Sequence, residues 1–360
     1  MSSAMAADPT YRVVSSYKRI PGAGMPGSYP GQVVAVHSPK SVDDNTEKID
    51  ADAVKEMMTR GMLALTGAPD LRQAWGRFIG KDDVVGIKVN CVGRPNVMSS
   101  PEVVAEIVRN VNAVGVPLER IHIYERFGDQ MEECKYPEKV PAGVHYFGAE
   151  QTRGTNEPYD PLMYVDVNFF GEEDTRSNII RLVSREITKI INVPNIKDHG
   201  ASGVTGCLKN IAYGSFSNVA RSHSGSVTHT RTFIGALAAS EPVRSRTVLQ
   251  VVDGIKGVWH GGPFSTDKRF RFLPKQMMFG TDPVAIDRLI LDIVDNQRKA
   301  MGAISVWDRD PRHLRNKDTP AGPDPNVNAY IREPGHIEYA STLGLGVYEL
   351  EKIRVKRIDI

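Results

Sequence analysis

Seven residues without polar–apolar alternation, VVGIKVN at 84–90, set the first constraint on the fold. A strand with one face in solvent alternates, whereas a strand covered on both faces does not. The next segment, PEVVAEIVRNVNAVG at 101–115, has helical spacing, with Ser99 or Ser100 as cap and Pro101 in the first turn. RIHIYE at 120–125 is the next strand. Strand, helix and strand within about 40 residues form a βαβ crossover, which makes the two strands parallel.

The same grammar recurs along the chain. GQVVAVH at 31–37, residues 144–147, 178–183, 186–193, 247–253 and 275–279, and the alternating KIRVKRI at 352–358 are expected strands, the last at an edge. Helices are expected at 50–66, 71–78, 129–134, 230–239, 282–294 and 336–343, with Asp50 or Asp52 near the start of the first suiting the helix dipole and Asp282 placed as a cap. Asp287 reads as solvated or paired with a nearby basic side chain. The fold class is therefore α/β, a mostly parallel central sheet flanked by helices, with irregular insertions. Residues 1–30, rich in Gly, Pro and Ser, read as an extended arm. Residues 31–360 form one domain, with irregular segments at 150–177 and 305–333. Asp253-Gly254 signals a turn.

Bulk properties exclude some function classes. The 360 residues carry a formal net charge of +2, with the basic residues dispersed, so no nucleic-acid footprint is expected. No apolar run reaches the roughly 20 residues that span a bilayer. Cys91, Cys134 and Cys207 are far apart and form no CxxC pair or cluster spacing, so partly buried thiols are expected and no iron–sulfur cluster within the chain. The start, MSSAMAADPTYR, lacks a secretory pattern, which leaves a cytoplasmic or a periplasmic location open.

Chemistry concentrates at 192–229, NVPNIKDHGASGVTGCLKNIAYGSFSNVARSHSGSVTH. An apolar strand ends at Pro194. A polar loop with Lys197, Asp198 and His199 is expected next, then glycines, including Gly203, and a helix through Leu208 and Ile211. This order places reactive groups at the carboxyl edge of a parallel sheet. His199, His223 and His229 fall here, and His260 follows another strand, so these four are the candidate metal ligands, for a single mononuclear transition metal with iron favoured. For each histidine taken alone, a hydrogen-bonded surface role is the competing reading. GASGVTG leading into a helix is the candidate anion site, assisted by Ser202, Lys209 and Asn210; the competing reading is a tight turn. Lys88 and Asn90 end a central strand at the same edge, where the cation pairs either with substrate or with an internal carboxylate. Glu125 closes the neighbouring strand and is either that partner or a general base. Lys197 and Asp253 complete the candidate catalytic set. Trp259-His260-Gly261-Gly262-Pro263 reads as a lid with glycine hinges.

Six blocks in order carry a resemblance: Lys88-Val89-Asn90, the PEVV start at Pro101, residues 192–199, 205–210, 252–255 and 281–287. Together they resemble the domain of unknown function 362 family over roughly residues 84–295. The resemblance implies redox chemistry, since many members carry a ferredoxin-like module and some a twin-arginine export signal. Neither stands in this sequence, which leaves any electron-transfer partner to a separate redox protein. The expectation is a metal-dependent oxidoreductase acting on a small anionic substrate. Its rivals are a non-catalytic binding protein for a phosphorylated or carboxylated ligand and a subunit of a larger redox complex. A homo-oligomer is compatible with each.

Overall fold

The computed structural model describes residues 9–150, 158–224, 228–314 and 324–360. Among these, the strands in chain order are β1 (Arg12–Val14), β2 (Gln32–His37), β3 (Val85–Lys88), β4 (Ile121–Phe127), β5 (His145–Glu150), β6 (Tyr159–Asp166), β7 (Arg176–Ile180), β8 (Lys189–Asn192), β9 (Asn195–His199), β10 (Gly203–Val204), β11 (Thr247–Val258), β12 (Arg271–Phe272), β13 (Gln276–Gly280) and β14 (Arg354–Asp359). The α-helices are α1 (Ala51–Thr66), α2 (Leu71–Gly76), α3 (Pro101–Val114), α4 (Gly128–Glu133), α5 (Arg181–Arg185), α6 (Gly206–Tyr213), α7 (Thr230–Ala239), α8 (Val243–Arg246), α9 (Pro283–Ala300) and α10 (His336–Thr342).

The main sheet runs β14-β2-β13-β11-β8-β3-β4-β5, with β9 and β12 attached to β11 and β10 to β9. β3, β4, β5 and β8 are parallel to their neighbours, β11 is parallel to β8 and β9, and β14 is parallel to β2. β13 runs antiparallel between β11 and β2. The sheet is mostly parallel and flanked by helices, as expected. Successive residues on a strand point to opposite faces. Ile190, Val252 and Met278 accordingly enter one core with α6, α7, α9 and α10, while Ile191, Val251 and Met277 enter the other with α1, α2 and α3. That two-sided burial is why the strand sequences lack alternation.

The caps are chemical. Asp50 accepts from Ala53 N at 2.8 Å, and Asp282 accepts from Ala285 N at 2.8 Å. Asp282 also accepts from Gly31 N and Val347 N, both at 2.9 Å, so it ties the arm and the C-terminal loop to α9.

Four expectations change. The 150–177 segment is not irregular throughout: β6 and β7 lie in it and pair antiparallel, and β1 of the arm adds to β6, giving a separate three-stranded sheet. Residues 151–157 of that segment and 315–323 of the 305–333 loop lie outside the described residues. The expected strand at 178–183 ends at Ile180 and gives way to α5. The polar loop after Pro194 is a strand, β9, because the chain resumes pairing with β11 on one side and β10 on the other. Asp253-Gly254 is not a turn. β11 continues through it with a register shift before Gly257.

Candidate functional site

The carboxyl ends of β3, β4 and β8 meet in a buried polar network. Lys88 Nζ donates to Glu125 Oε1 at 2.9 Å, and both side chains are almost wholly buried. The other Glu125 oxygen accepts from Cys91 N at 3.2 Å. Asn90 Nδ2 donates to Asn210 Oδ1 at 3.1 Å, and Asn210 Nδ2 donates to Asn192 Oδ1 at 2.7 Å. Lys197 Nζ donates to Asn90 Oδ1 at 2.7 Å and to the Val92 carbonyl. Burial pushes the Lys197 ammonium down to about 7. Glu125 is thus the internal partner of Lys88, and the network joins four segments distant in sequence.

Asp253 and Asp287 are also anchors. Asp253 accepts from Ser100 N at 2.7 Å and Ser100 Oγ at 2.6 Å, fixing the start of α3. Burial raises its carboxyl above the ordinary range. Asp287 is buried rather than solvated, and its partners are backbone amides, Cys207 N and Leu208 N, the latter at 2.9 Å. It therefore occupies the N-terminus of α6, where an external anion was expected. Gly206 permits this: its φ is +57°, and a Cβ there would sit 2.3 Å from the Asp287 carboxylate. Burial pushes Asp287 up to about 7. Gly203 pairs with His199 at the start of β10.

One turn into α6, Lys209 has a different environment. Its Nζ lies 3.0 Å from His199 Nε2 and 4.6 Å from the centre of the Tyr213 ring. His199 Nδ1 accepts two backbone donors, Ala201 N at 3.1 Å and Ser202 N at 3.3 Å. A neutral imidazole carries one proton. With Nδ1 accepting, that proton is on Nε2 and points at Lys209. Burial, reinforced by Lys197, pushes Lys209 down to about 7. Burial also holds His199 well below its ordinary value, followed by repulsion from Lys209. His223 lies with its ring centre 5.2 Å from that of His199. Its Nδ1 faces the Ala220 carbonyl at 3.2 Å, and its buried Nε2 has no hydrogen-bond partner. His336 repeats the pattern, with Nδ1 at 3.3 Å from Glu333 O and a buried, unpartnered Nε2.

His199 and His223 line a cavity of about 850 Å³, shared with His260, Phe264, Tyr330 and Arg332. In that wall, Asp198 faces two buried guanidiniums, Arg332 directly and Arg298, behind it, at 3.6 Å. Among the described residues Asp198 is the one carboxylate paired with both guanidiniums, and Asp295 and Asp308 act on Arg298 from farther away. Arg298 NH1 also lies 3.2 Å from His260 Nδ1, which holds that nitrogen as an acceptor. Phe270, another lining residue, meets the His260 ring edge to face at 4.6 Å. The Gly261-Gly262-Pro263 turn lines the cavity, but Gly262 is set against β9: a Cβ would lie 1.7 Å from Asp198 O. That contact makes Gly262 a packing position rather than a free hinge.

The four candidate histidines do not converge as one group. His199 and His223 are neighbours, and His260 shares their cavity. His229 instead stacks on Phe169 at 4.5 Å, at the start of α7. Both ring nitrogens of His199 are engaged. Among the described residues no three His, Cys, Asp or Glu side chains are arranged to hold a metal ion. Among the described residues, His223 Nε2 is a buried candidate donor left without a hydrogen-bond partner. Cys91, Cys134 and Cys207 are free and buried. Arg298, Arg332 and His336 went unnoticed in the sequence. Arg298 had a signal, since it lies four residues beyond Val294 on the buried stripe of α9. Arg332, in a proline-rich loop, had none.

No helix among the described residues is long and apolar enough to cross a membrane. No curated protein matches the chain. A crystal structure of a protein from Thermotoga maritima is similar, with a TM-score of 0.40 and 12% identity. The similarity covers 74% of this chain and 62% of that one, so the chain spans less than two thirds of that protein. The model of the family described as a domain of unknown function (DUF362) matches residues 85–292. That is more than half of the sequence and contains β3, α3, β4, the Lys88 network and the Lys209 cluster, and the chain belongs to the DUF362 family.

Proposed function

We propose that the chain is an enzyme acting on a small organic anion bound in the cavity beside His199 and His223. The observation that carries this reading is the wall charge: Arg298 and Arg332, both buried, pair with one carboxylate, Asp198, among the described residues, with Asp295 and Asp308 acting on Arg298 from farther away. A buried charge needs a counter-charge, and a substrate anion reached through Arg332 supplies it. Phe264, Phe270 and Tyr330 offer apolar contact to the rest of a small ligand. Neutral imidazoles and a depressed lysine at one side are suited to proton transfer near neutral pH.

Thermal denaturation with a panel of small carboxylates and inorganic phosphate tests this. The expected result is stabilisation by at least one probe, about 2.7 kcal/mol at a hundredfold excess over Kd, lost in Arg332→Met. No stabilisation by any probe sinks the reading. Stabilisation without turnover of any bound compound moves it to a binding protein for a carboxylated or phosphorylated ligand.

A second reading retains a mononuclear transition metal and redox chemistry. It is favoured by the open, buried Nε2 of His223 next to His199. His223 would supply one ligand and the substrate or water the others. Elemental analysis of wild type and His223→Ala decides it: near-stoichiometric metal lost in the variant supports it, and equal, trace metal in both ends it.

A further inference from the structure

We propose that Lys209 is held as a free amine and condenses with the carbonyl of a 2-oxo acid, forming an imine. This rests on the anion-binding reading above and names the substrate class for that site. The geometry of His199 carries it. Two backbone N–H groups fix Nδ1 as an acceptor. The ring proton is therefore on Nε2, 3.0 Å from Lys209 Nζ. An ammonium at that distance would set proton against proton, whereas a neutral amine accepts the bond. The other groups around Lys209 agree. Tyr213 presents its ring face, and Lys197, His223 and His336 are close enough to interact electrostatically. No ion pair to a carboxylate is found for Lys209 among the described residues, in contrast to Lys88 with Glu125.

A desolvated amine among neutral or cationic neighbours is the environment that makes a lysine nucleophilic. His199 links it to the cavity, because the same ring lines that cavity and hydrogen-bonds the amine. Arg332, on the cavity wall, provides the contact for a carboxylate. A 2-oxo acid carries a group for each, its carboxylate for Arg332 and its carbonyl for the Lys209 amine, which stands behind the lining His199 rather than in the cavity wall.

The step balances without any redox partner. The Nζ lone pair turns away from His199 Nε2–H, breaking that hydrogen bond, and forms a bond to the carbonyl carbon, and the C=O π pair moves to oxygen. The oxygen then departs as water, taking both amine protons, and a C=N bond remains. The His199 Nε2–H that donated to the amine is in place to donate to the imine nitrogen.

The test is reductive trapping on the full chain. Wild-type protein is incubated with glyoxylate or pyruvate and cyanoborohydride, and adducts are located by peptide mass spectrometry. The expected result is an adduct on Lys209, formed about a hundredfold faster than on surface lysines at neutral pH, since far more of its amine is free. Acetate, which lacks a carbonyl, should slow the trapping by competition. His199→Gln should slow it as well. Trapping confined to surface lysines, while pyruvate still stabilises the protein thermally, overturns the imine and leaves the anion site standing. No stabilisation by pyruvate or any other probe of the panel and no Lys209 adduct overturns both. Because the adduct is mapped in wild type, the result does not depend on any variant folding.

Discussion

Lys88 and Lys209 stand at the same carboxyl edge of the sheet, both buried, and their surroundings are opposite. Lys88 meets a carboxylate at 2.9 Å, and Asn210 approaches it at 3.5 Å. Lys209 meets an imidazole and an aromatic face. A buried ammonium beside a carboxylate is a neutral unit that holds elements together. A buried amine without that partner relieves its desolvation by losing the proton. The comparison separates a structural lysine from a reactive one by what lies within bonding distance, since burial is common to both.

Breaking the structural side should have the largest effect. Glu125→Gln leaves the Lys88 charge buried without its counter-charge, which costs about 3–5 kcal/mol. Lys88→Met strands Glu125 in the same way and should cost a similar amount. Chemical denaturation at neutral pH measures both. Losses below about 1 kcal/mol would show that the pair is not needed and would remove the contrast with Lys209.

Acid should strain the imidazole side selectively. His336 is pushed by burial from 6.5 to about 4, and His223 to about 3. Between the folded and unfolded values the unfolded chain binds more protons, so stability rises with pH there and is lost as pH falls from 6.5 towards 4. The share of His336 is on the order of 3 kcal/mol. Denaturation midpoints across that window should fall steeply in wild type and less steeply in His336→Met. An equal slope in both would place the acid sensitivity elsewhere.

How much of this was legible follows from which interactions are local. The strand grammar, the βαβ unit, the Asp282 cap and the grouping of Lys88, Asn90, Glu125, Lys197, Lys209 and Asn210 near one edge all rest on periodicity and chain order, and each can be read from neighbouring residues. The pairing within that group cannot, because Lys88 finds Glu125 across 37 positions and Cys207 finds Asp287 across 80. The glycine loop looked like an anion site because it ends at a helix N-terminus. An internal carboxylate from α9 fills it. Likewise β9 reads as a loop because Lys197, Asp198 and His199 are polar, yet each is buried against a tertiary partner. Polar residues in a strand interior mark a site, and the sequence pattern assigned them to a loop.

Asp287→Asn sharpens the assignment of that filled helix end. The amide keeps one acceptor oxygen and sets an N–H₂ against one of the two donors, Cys207 N or Leu208 N. The expected loss is about 2 kcal/mol. Asp287 is raised by burial to about 7, so the folded form binds the extra proton between 3.8 and about 7. Its own contribution to stability therefore declines as pH rises through that window, opposite in sign to the histidines. The variant should remove this decline. In Asp287→Ala, which does vacate Cys207 N and Leu208 N, binding of inorganic phosphate would show that the helix end can serve as an anion site once its side chain is gone.

The smallest expected change is the most discriminating. Lys209→Met replaces an uncharged buried amine with an apolar chain of similar length, at the loss of one hydrogen bond to His199. Above about pH 10.5, where the amine is neutral folded and unfolded alike, stability should shift by only about 1 kcal/mol. The pH dependence should change more. Lys209 titrates at about 7 when folded and near its ordinary 10.5 when unfolded. Between these values the unfolded chain alone holds the proton, so stability in wild type rises with pH, by up to about 1.4 kcal/mol per unit for this one group. Lys197, also lowered to about 7, contributes in the same sense. The Met variant should retain only the Lys197 share, roughly half the slope. A variant with the full wild-type slope would mean that Lys209 stays protonated when folded. It would then resemble Lys88, and the free amine facing His199 would be lost along with the chemistry assigned to it.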